Sequence, residues 1–351
     1  MSTTTEKQLL TYSSIASFKK CRKRYQWEYE LGYRGKVDAK ALRMGTAGHD
    51  ALEAFKHEGI DAAMDAIAFT YAMYIEVPQE EFLFEKKTVE CLIAGYDWRW
   101  KESPLKIIET EMGFQIPLVN PATDSASQLF ELAGKIDGIV ELEDGRQAVQ
   151  EHKFLSDSIE PDSDLWPRMQ IDQQITMYVI AARHLGYPVD TVLYDVIRKP
   201  TIKPTPVPVL DEMGMKIVLD ERGDRPMTSR GQYYQTGNKE KGLTLQVREM
   251  TPDEWGKKLL DDIAERPDFY YVRKEIPRLD SDIEDFHYEL WDIQKTIRNA
   301  QLKNRWYKTV DFNTCNYCCF LPLCLSRYNP SDPLPEGFKI LTDVHPELKE
   351  D

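Results

Sequence analysis

The sequence predicts a mixed α/β fold, with a central mixed β-sheet flanked by helices and helical segments at both ends of the chain. Three observations carry that prediction. Apolar and polar residues alternate with a period near two in "KIIETEMGFQIPL", "FELAGKIDGIVEL" and "QAVQEHKFL", the pattern of half-buried strands. On either side the apolar spacing returns to that of helices. A stretch rich in Pro, Gly, Thr and Lys, residues 200–250, then separates the centre from a second helical part.

Taken in order, Ser13 or Ser14 is placed to cap a first helix whose apolar positions Ile15, Phe18, Tyr25 and Tyr29 lie on one stripe, ending near Gly32. Cys21 falls on that inward stripe. A second helix starts near Gly45 and carries His49, Leu52 and Phe55, and helical patterns continue through residues 60–101. The strands follow, and the Asp-Gly pair of "EDGR" at 143–146 marks a tight hairpin turn between the last two. A helix is expected from about Arg168 to Leu185, then a β-rich "TVLYDVIRK". Residues 201–250 read as an insertion or long hairpin. Thr251 with Pro252 opens a further helix, and 281–302 make another. These features divide the chain into an N-terminal helical region (1–105), a core (106–200), the insertion (201–250), a C-terminal helical region with clustered cysteines (251–328) and an acidic tail (329–351).

Composition narrows the function. No run approaches the roughly 18–20 apolar residues of a membrane span, and the polar start "MSTTTEKQLLTYSS" lacks the apolar core of a signal peptide. The expected location is the cytoplasm, where clustered cysteines bind metal more often than they form disulfides. A formal charge of −14 argues against broad nonspecific attraction to nucleic acid. One strip departs from it. Lys19, Lys20, Arg22, Lys23 and Arg24 crowd into six positions beside several aromatics, so contact with DNA phosphates competes with a solvated helix face. Tyr25, Trp27 and Tyr29 could stack bases there, although core packing suits their helical spacing better.

The central strands hold the most informative spacing. On a strand, residues two apart share a face, so Glu151 and Lys153 of "QEHKF" project together while His152 points away. The hairpin turn near Asp144 brings Asp137 of "GKIDGIV" alongside them. Two carboxylates and an ammonium on one patch suit phosphodiester hydrolysis: hard oxygens hold Mg²⁺ or Mn²⁺, and the lysine orients the attacking water and offsets charge on the phosphate. The same three residues could also be ordinary charges on an exposed hairpin. Downstream, Gln174 and Tyr178 lie four apart on one helix face.

With "GTAGH" at 45–49, "GKID" at 134–137, "EHK" at 151–153 and "QITMY" at 174–178, the sequence resembles the PD-(D/E)XK nuclease superfamily. The resemblance is to its RecB-like branch with an iron–sulfur cluster, as in CRISPR-associated and AddB-type exonuclease domains. It implies a restriction-endonuclease-like core in which His49, Asp137, Glu151 and the His152 carbonyl ligate the metal. Lys153 would be the catalytic lysine, with Gln174 and Tyr178 positioning it or the substrate. Asp137 follows isoleucine where the motif's name has proline, a common departure. Glu111 could face the site from the preceding strand but is as well read as solvated, and it stays outside the assignment.

Cys315, Cys318 and Cys324 form C-x2-C-x5-C, a spacing that suits zinc or an iron–sulfur cluster. Cys319 is adjacent to Cys318, and their side chains diverge. By the same resemblance a [4Fe–4S] cluster is held by Cys21, Cys315, Cys318 and Cys324, joining the two ends of the chain, while Cys91 and Cys319 are buried or half-buried spectators. The function expected is a metal-dependent DNA nuclease, an exonuclease on single strands or DNA ends. The alternative is a catalytically weak or inactive DNA-binding subunit of a recombination or repair assembly. No G-x-x-x-x-G-K-[ST] loop occurs, so unwinding would come from a helicase or recombination partner.

Overall fold

The computed structural model describes residues 7–36, 40–74, 78–103 and 105–348, so the first six positions of the polar start and the last three of the acidic tail lie outside the described residues. Thr11, rather than Ser13 or Ser14, caps the first helix. Its backbone is extended and its hydroxyl accepts from the Ser14 N–H at 3.1 Å, satisfying one of the free amides of the first turn. The helix does not run unbroken to Gly32. After β1 (Gln8–Leu10), α1 covers Tyr12–Lys20, Cys21 adopts an extended backbone, and α2 (Arg22–Tyr25) continues into one wide turn of π-helix, Gln26–Glu30.

The chain then forms β2 (Tyr33–Gly35), α3 (Lys40–Glu58), α4 (Ile60–Ala72) and α5 (Leu83–Trp100). The predicted strands follow as β3 (Lys106–Val119), β4 (Ala126–Glu141) and β5 (Gln147–Leu155). The helix expected from Arg168 is two, α6 (Leu165–Gln170) and α7 (Gln173–His184), because Asp172 caps the second with its side chain on the Gln174 N–H. Next come β6 (Val189–Arg198) and four two-residue strands, β7 to β10, at Val207–Pro208, Val218–Leu219, Thr244–Leu245 and Val247–Arg248. These pair only among themselves. Helix α8 (Pro252–Glu265) opens with a full capping box between Thr251 and Glu254. It is followed by α9 (Pro267–Tyr270), β11 (Tyr271–Pro277), α10 (Asp280–Lys303), α11 (Phe312–Asn316), α12 (Leu321–Leu325) and β12 (Phe338–Ile340).

The main sheet runs β1-β4-β5-β6-β11, with β3 on the other edge of β4. Its edges come from parts of the chain that the sequence pattern assigned to helical regions, β1 from the N-terminal one and β11 from the C-terminal one. The three residues of β1 are too few to show alternation, and β11 is a strand because it pairs with the edge of β6. The long β4 pairs along one edge with β3, whereas its other edge pairs with β1 at Phe130–Leu132 and with β5 at Gly138–Glu141. Between those stretches β4 and β5 diverge, and the fork opens beside Asp137.

Helices cover both faces. Ile175 and Val179 of α7 and Phe286, Leu290 and Ile297 of α10 pack with Val149, Val192 and Val196. On the opposite face Leu52, Leu92, Trp255 and Leu259 form a second core against Ile197 and Tyr271. Trp27, Tyr33, Phe320 and Leu323 make a third cluster that joins the chain's two ends, and β12 pairs with β2 beside it. Tyr25, Trp27 and Tyr29 are all buried core residues, which settles their role in favour of packing.

Candidate active site

β5 places Glu151 and Lys153 on the α7 side of the sheet and Gln150 and His152 on the side of α3 and α5. The Lys153 ammonium donates to Glu151 Oε1 at 2.6 Å and to Gln174 Oε1 at 3.0 Å. The Gln174 amide donates in turn to the Tyr178 hydroxyl at 3.0 Å. Asp172 closes the group, 3.6 Å from the ammonium. At the fork, Asp137 Oδ2 accepts from the backbone N–H of His152 at 2.8 Å. That amide would belong to the sheet ladder had the strands stayed together. His49, from α3, lies with Nδ1 3.7 Å from the same Asp137 oxygen. Seven side chains, from α3, β4, β5 and α7 with its cap, thus meet around one point of the sheet.

The electrostatics are those of too many carboxylates in a dry place. Burial pushes the Glu151 carboxyl up; Lys153 opposes this, and Asp137 and Asp172 add to it. Glu111, which the sequence left open between facing the site and being solvated, is partly buried and pairs with Lys135 at 3.2 Å. Burial, reinforced by Asp137, lifts its carboxyl to about 7. Its backbone sits in the left-handed region at φ 47°, unusual for a glutamate in a strand.

Lys56 was also missed. Its ammonium donates to the Asp137 carbonyl at 2.8 Å. The signal was available, because Lys56 follows His49 by two helical turns and shares its stripe of α3. Tyr12 of α1 is a third, its hydroxyl pushed up by burial and by Asp172. Arg278 is a fourth. It donates to the Gln170 and Met169 carbonyls at 2.6 Å each and to the Tyr194 hydroxyl at 3.0 Å. These bonds pin the turn from which Gln174 departs, and no local pattern announces them.

The basic strip is largely engaged internally. Lys19 pairs with Glu289 and donates to Gln173 at 2.6 Å, and Arg24 pairs with Glu28 at 2.9 Å. Arg22 lies over the Tyr307 ring at 4.4 Å, and Lys23 donates to Gln26 at 2.8 Å. Among the described residues Lys20 alone of the five makes no such contact; it lines a shallow cleft with Ser13 and Arg34.

The cysteines are all free thiols. Burial pushes Cys324 up, Lys308 opposes, and the thiols of Cys318, Cys21 and Cys315 add to the shift, so these four are electrostatic neighbours. The Thr309 N–H points at Cys21 Sγ, 3.4 Å away. Cys91 is buried as expected, but Cys319 is exposed and not half-buried, because the turn after Tyr317 faces it outward.

Among the described residues no three His, Cys, Asp or Glu side chains are gathered tightly enough to bind one metal ion. The oxygen donors around the fork still suit a hard divalent cation. Glu151 Oε2 is buried with no hydrogen-bond partner, and a cation beside Asp137 and Glu151 would relieve both the orphaned atom and the carboxylate repulsion. The chain matches one family model over residues 9–325, that of the PD-(D/E)XK nuclease superfamily. The chain belongs to that superfamily. No curated protein matches it. As a PD-(D/E)XK protein, this chain joins metal-dependent nucleases that generally use Mg²⁺ or Mn²⁺ and act on DNA. Among the described residues no helix is long and apolar enough to cross a membrane.

Proposed function

We propose that this PD-(D/E)XK protein is a deoxyribonuclease of the RecB-like branch, an exonuclease acting on single-stranded DNA or DNA ends. The observation that carries the reading is the bonded series Glu151–Lys153–Gln174–Tyr178 beside Asp137. In it the lysine ammonium is held by two acceptors, Glu151 and Gln174. His49, Asp137, Glu151 and the His152 carbonyl would hold Mg²⁺ or Mn²⁺, which when bound polarises water and grips the phosphate. Lys153 would orient a water and offset charge on the phosphate. Gln174 and Tyr178 keep the ammonium aimed, and Lys56 and the His152 N–H hold Asp137 in place.

The same reading gives Cys21, Cys315, Cys318 and Cys324 a [4Fe–4S] cluster. Four cysteine thiolates are the usual ligand set of such a cluster. Two features support it: the four thiols influence one another, and Lys23 and Lys308 stand near them to offset thiolate charge. The cluster would tie the segment after α10 to the break at Cys21 and leave Cys319 outside.

The test is digestion of 5′- and 3′-labelled single strands and duplexes with Mg²⁺ or Mn²⁺, with Lys153→Ala as control. Progressive shortening from one end is expected from the wild type only. Intact substrate that is nonetheless bound would replace this reading with that of a DNA-binding assembly subunit. Anaerobically purified protein should be brown; colourless protein with stoichiometric zinc would refute the cluster.

A further inference from the structure

Behind the fork, on the side of α3 and α5, lies a cavity of about 320 Å³, the low end of the range for small-ligand sites (about 300–1,000 Å³). Phe55, Tyr96 and Leu52 give it apolar walls. Two buried polar atoms in its lining have no hydrogen-bond partner among the described residues, Gln150 Oε1 and Trp100 Nε1. The Gln150 amide cannot turn to hide its oxygen. Its nitrogen donates to Asp195 Oδ2 at 3.2 Å, and an ionised carboxylate accepts but does not donate. Gln150 is 2% exposed, so the acceptor is held in place and dry.

A third polar group meets it. Lys56 lines the same cavity and uses one ammonium proton on the Asp137 carbonyl. A Cβ on Gly138 would stand 3.2 Å from Gln150 Oε1 and 3.7 Å from Lys56 Nζ. A side chain there would crowd both groups and the Glu109 carbonyl, 3.1 Å away, so glycine leaves them undisturbed. Orphaned buried groups cost about 1–3 kcal/mol each, and two in one cavity point to a ligand that satisfies them.

We propose that this cavity is a nucleobase pocket. A flat heterocycle would lay one apolar face on the wall made by Leu52, Phe55 and Tyr96, where the two aromatic rings meet edge to face at 6.2 Å. Its edge donates to Gln150 Oε1 and accepts from the Trp100 N–H and the Lys56 ammonium. Exposed Lys101, at the mouth with Asp97, supplies a charge for the attached phosphate. The base belongs either to a free mononucleotide, the product of end-trimming, or to the terminal residue of the bound DNA. That choice of source rests on the nuclease reading; the chemistry of the pocket does not.

The experiment is calorimetric titration of the full chain carrying Lys153→Ala, in chelator and without added metal, so that hydrolysis plays no part and a failure of the nuclease reading is scored separately. The probes are dAMP, dGMP, dCMP and dTMP, with deoxyribose 5-phosphate as the base-free control. Saturable binding of at least one mononucleotide and none of the control is expected. Adding Trp100→Phe, which removes only the N–H donor from an aromatic wall, should weaken binding about fivefold to tenfold. Adding Gln150→Leu should weaken it further; if that variant does not fold, Trp100→Phe decides. Competition between the mononucleotide and a single-stranded oligonucleotide assigns the pocket to the DNA's own end, and independent binding assigns it to free nucleotide. No saturable binding by any mononucleotide, equal binding of the base-free control, or a Trp100→Phe variant with unchanged affinity overturns the proposal.

Discussion

Replacing Lys153 by methionine tests the centre of the site from two directions. The ammonium is the only hydrogen-bond donor to Glu151 among the described residues, because Oε1 bonds Lys153 at 2.6 Å and Oε2 has no partner. Glu151 is 2% exposed. Methionine keeps most of the side-chain volume but leaves a buried carboxylate with neither oxygen satisfied, a change that costs about 3–5 kcal/mol when one partner of a buried ion pair is removed. Pairing it with Glu151→Gln removes the stranded charge, so the double variant should recover most of that loss. The pH dependence has a definite sign. Burial already raises the Glu151 carboxyl above its ordinary value, so the folded state binds its proton more tightly than the unfolded chain does. Stability therefore falls as pH rises between the two values. Without Lys153 the folded value rises further, and the deficit of the single variant should be small near about pH 5 and large near about pH 8. Urea unfolding in chelator, at both pH values, reads this directly. DNA cleavage with Mn²⁺ should meanwhile drop by about 10²- to 10⁴-fold in both variants. A Lys153→Met protein as stable as wild type near pH 8, or one that cleaves DNA within tenfold of it, would refute the reasoning.

Other perturbations probe the supports. A Cβ at Gly48 would run into the Phe154 ring, so Gly48→Ala should push α3 and His49 off β5. We expect a loss of about 1–3 kcal/mol and weaker cleavage, partly relieved by Phe154→Leu; unchanged melting and activity would show that the ring simply moves aside. Arg278→Met should free the turn before α7, reducing cleavage while DNA binding is kept, and should lower the urea midpoint by the equivalent of about 2–4 kcal/mol; wild-type values would remove Arg278 from the positioning scheme. Cys324→Ala should bleach visible absorption and damage folding, whereas Cys319→Ala should be mild. Bleaching by Cys319→Ala without bleaching by Cys318→Ala would overturn the ligand choice.

Much of the centre was legible because strand periodicity is local. The alternation around Glu151 and Lys153 decides which side chains share a face, and the Asp-Gly turn decides which strand lies alongside. The four-residue step from Gln174 to Tyr178 likewise puts both on one side of a helix before any tertiary contact is known. The Thr251–Glu254 capping box is equally local. Other features were hidden for a physical reason. A three-residue strand such as Gln8–Leu10 carries no measurable period, and Tyr271–Pro277 becomes a strand because β6 offers it an edge. Glu111 reads equally as a solvated charge or a site residue until β3 buries it near Asp137. Arg278 looks like any surface arginine until the turn before α7 surrounds it.

By itself, then, the sequence determined the order of motifs, the shared face of Glu151 and Lys153, and the spacing of Cys315, Cys318 and Cys324, since each follows from backbone geometry over a few residues. Only the tertiary structure decided the divergence of β4 from β5 that turns the His152 amide toward Asp137. The same holds for the placement of Cys21 and Cys315 beside Thr309 and for the dry cavity behind Gln150. Those depend on how sheet twist and helix packing place segments that are remote along the chain, and no short-range pattern encodes that placement.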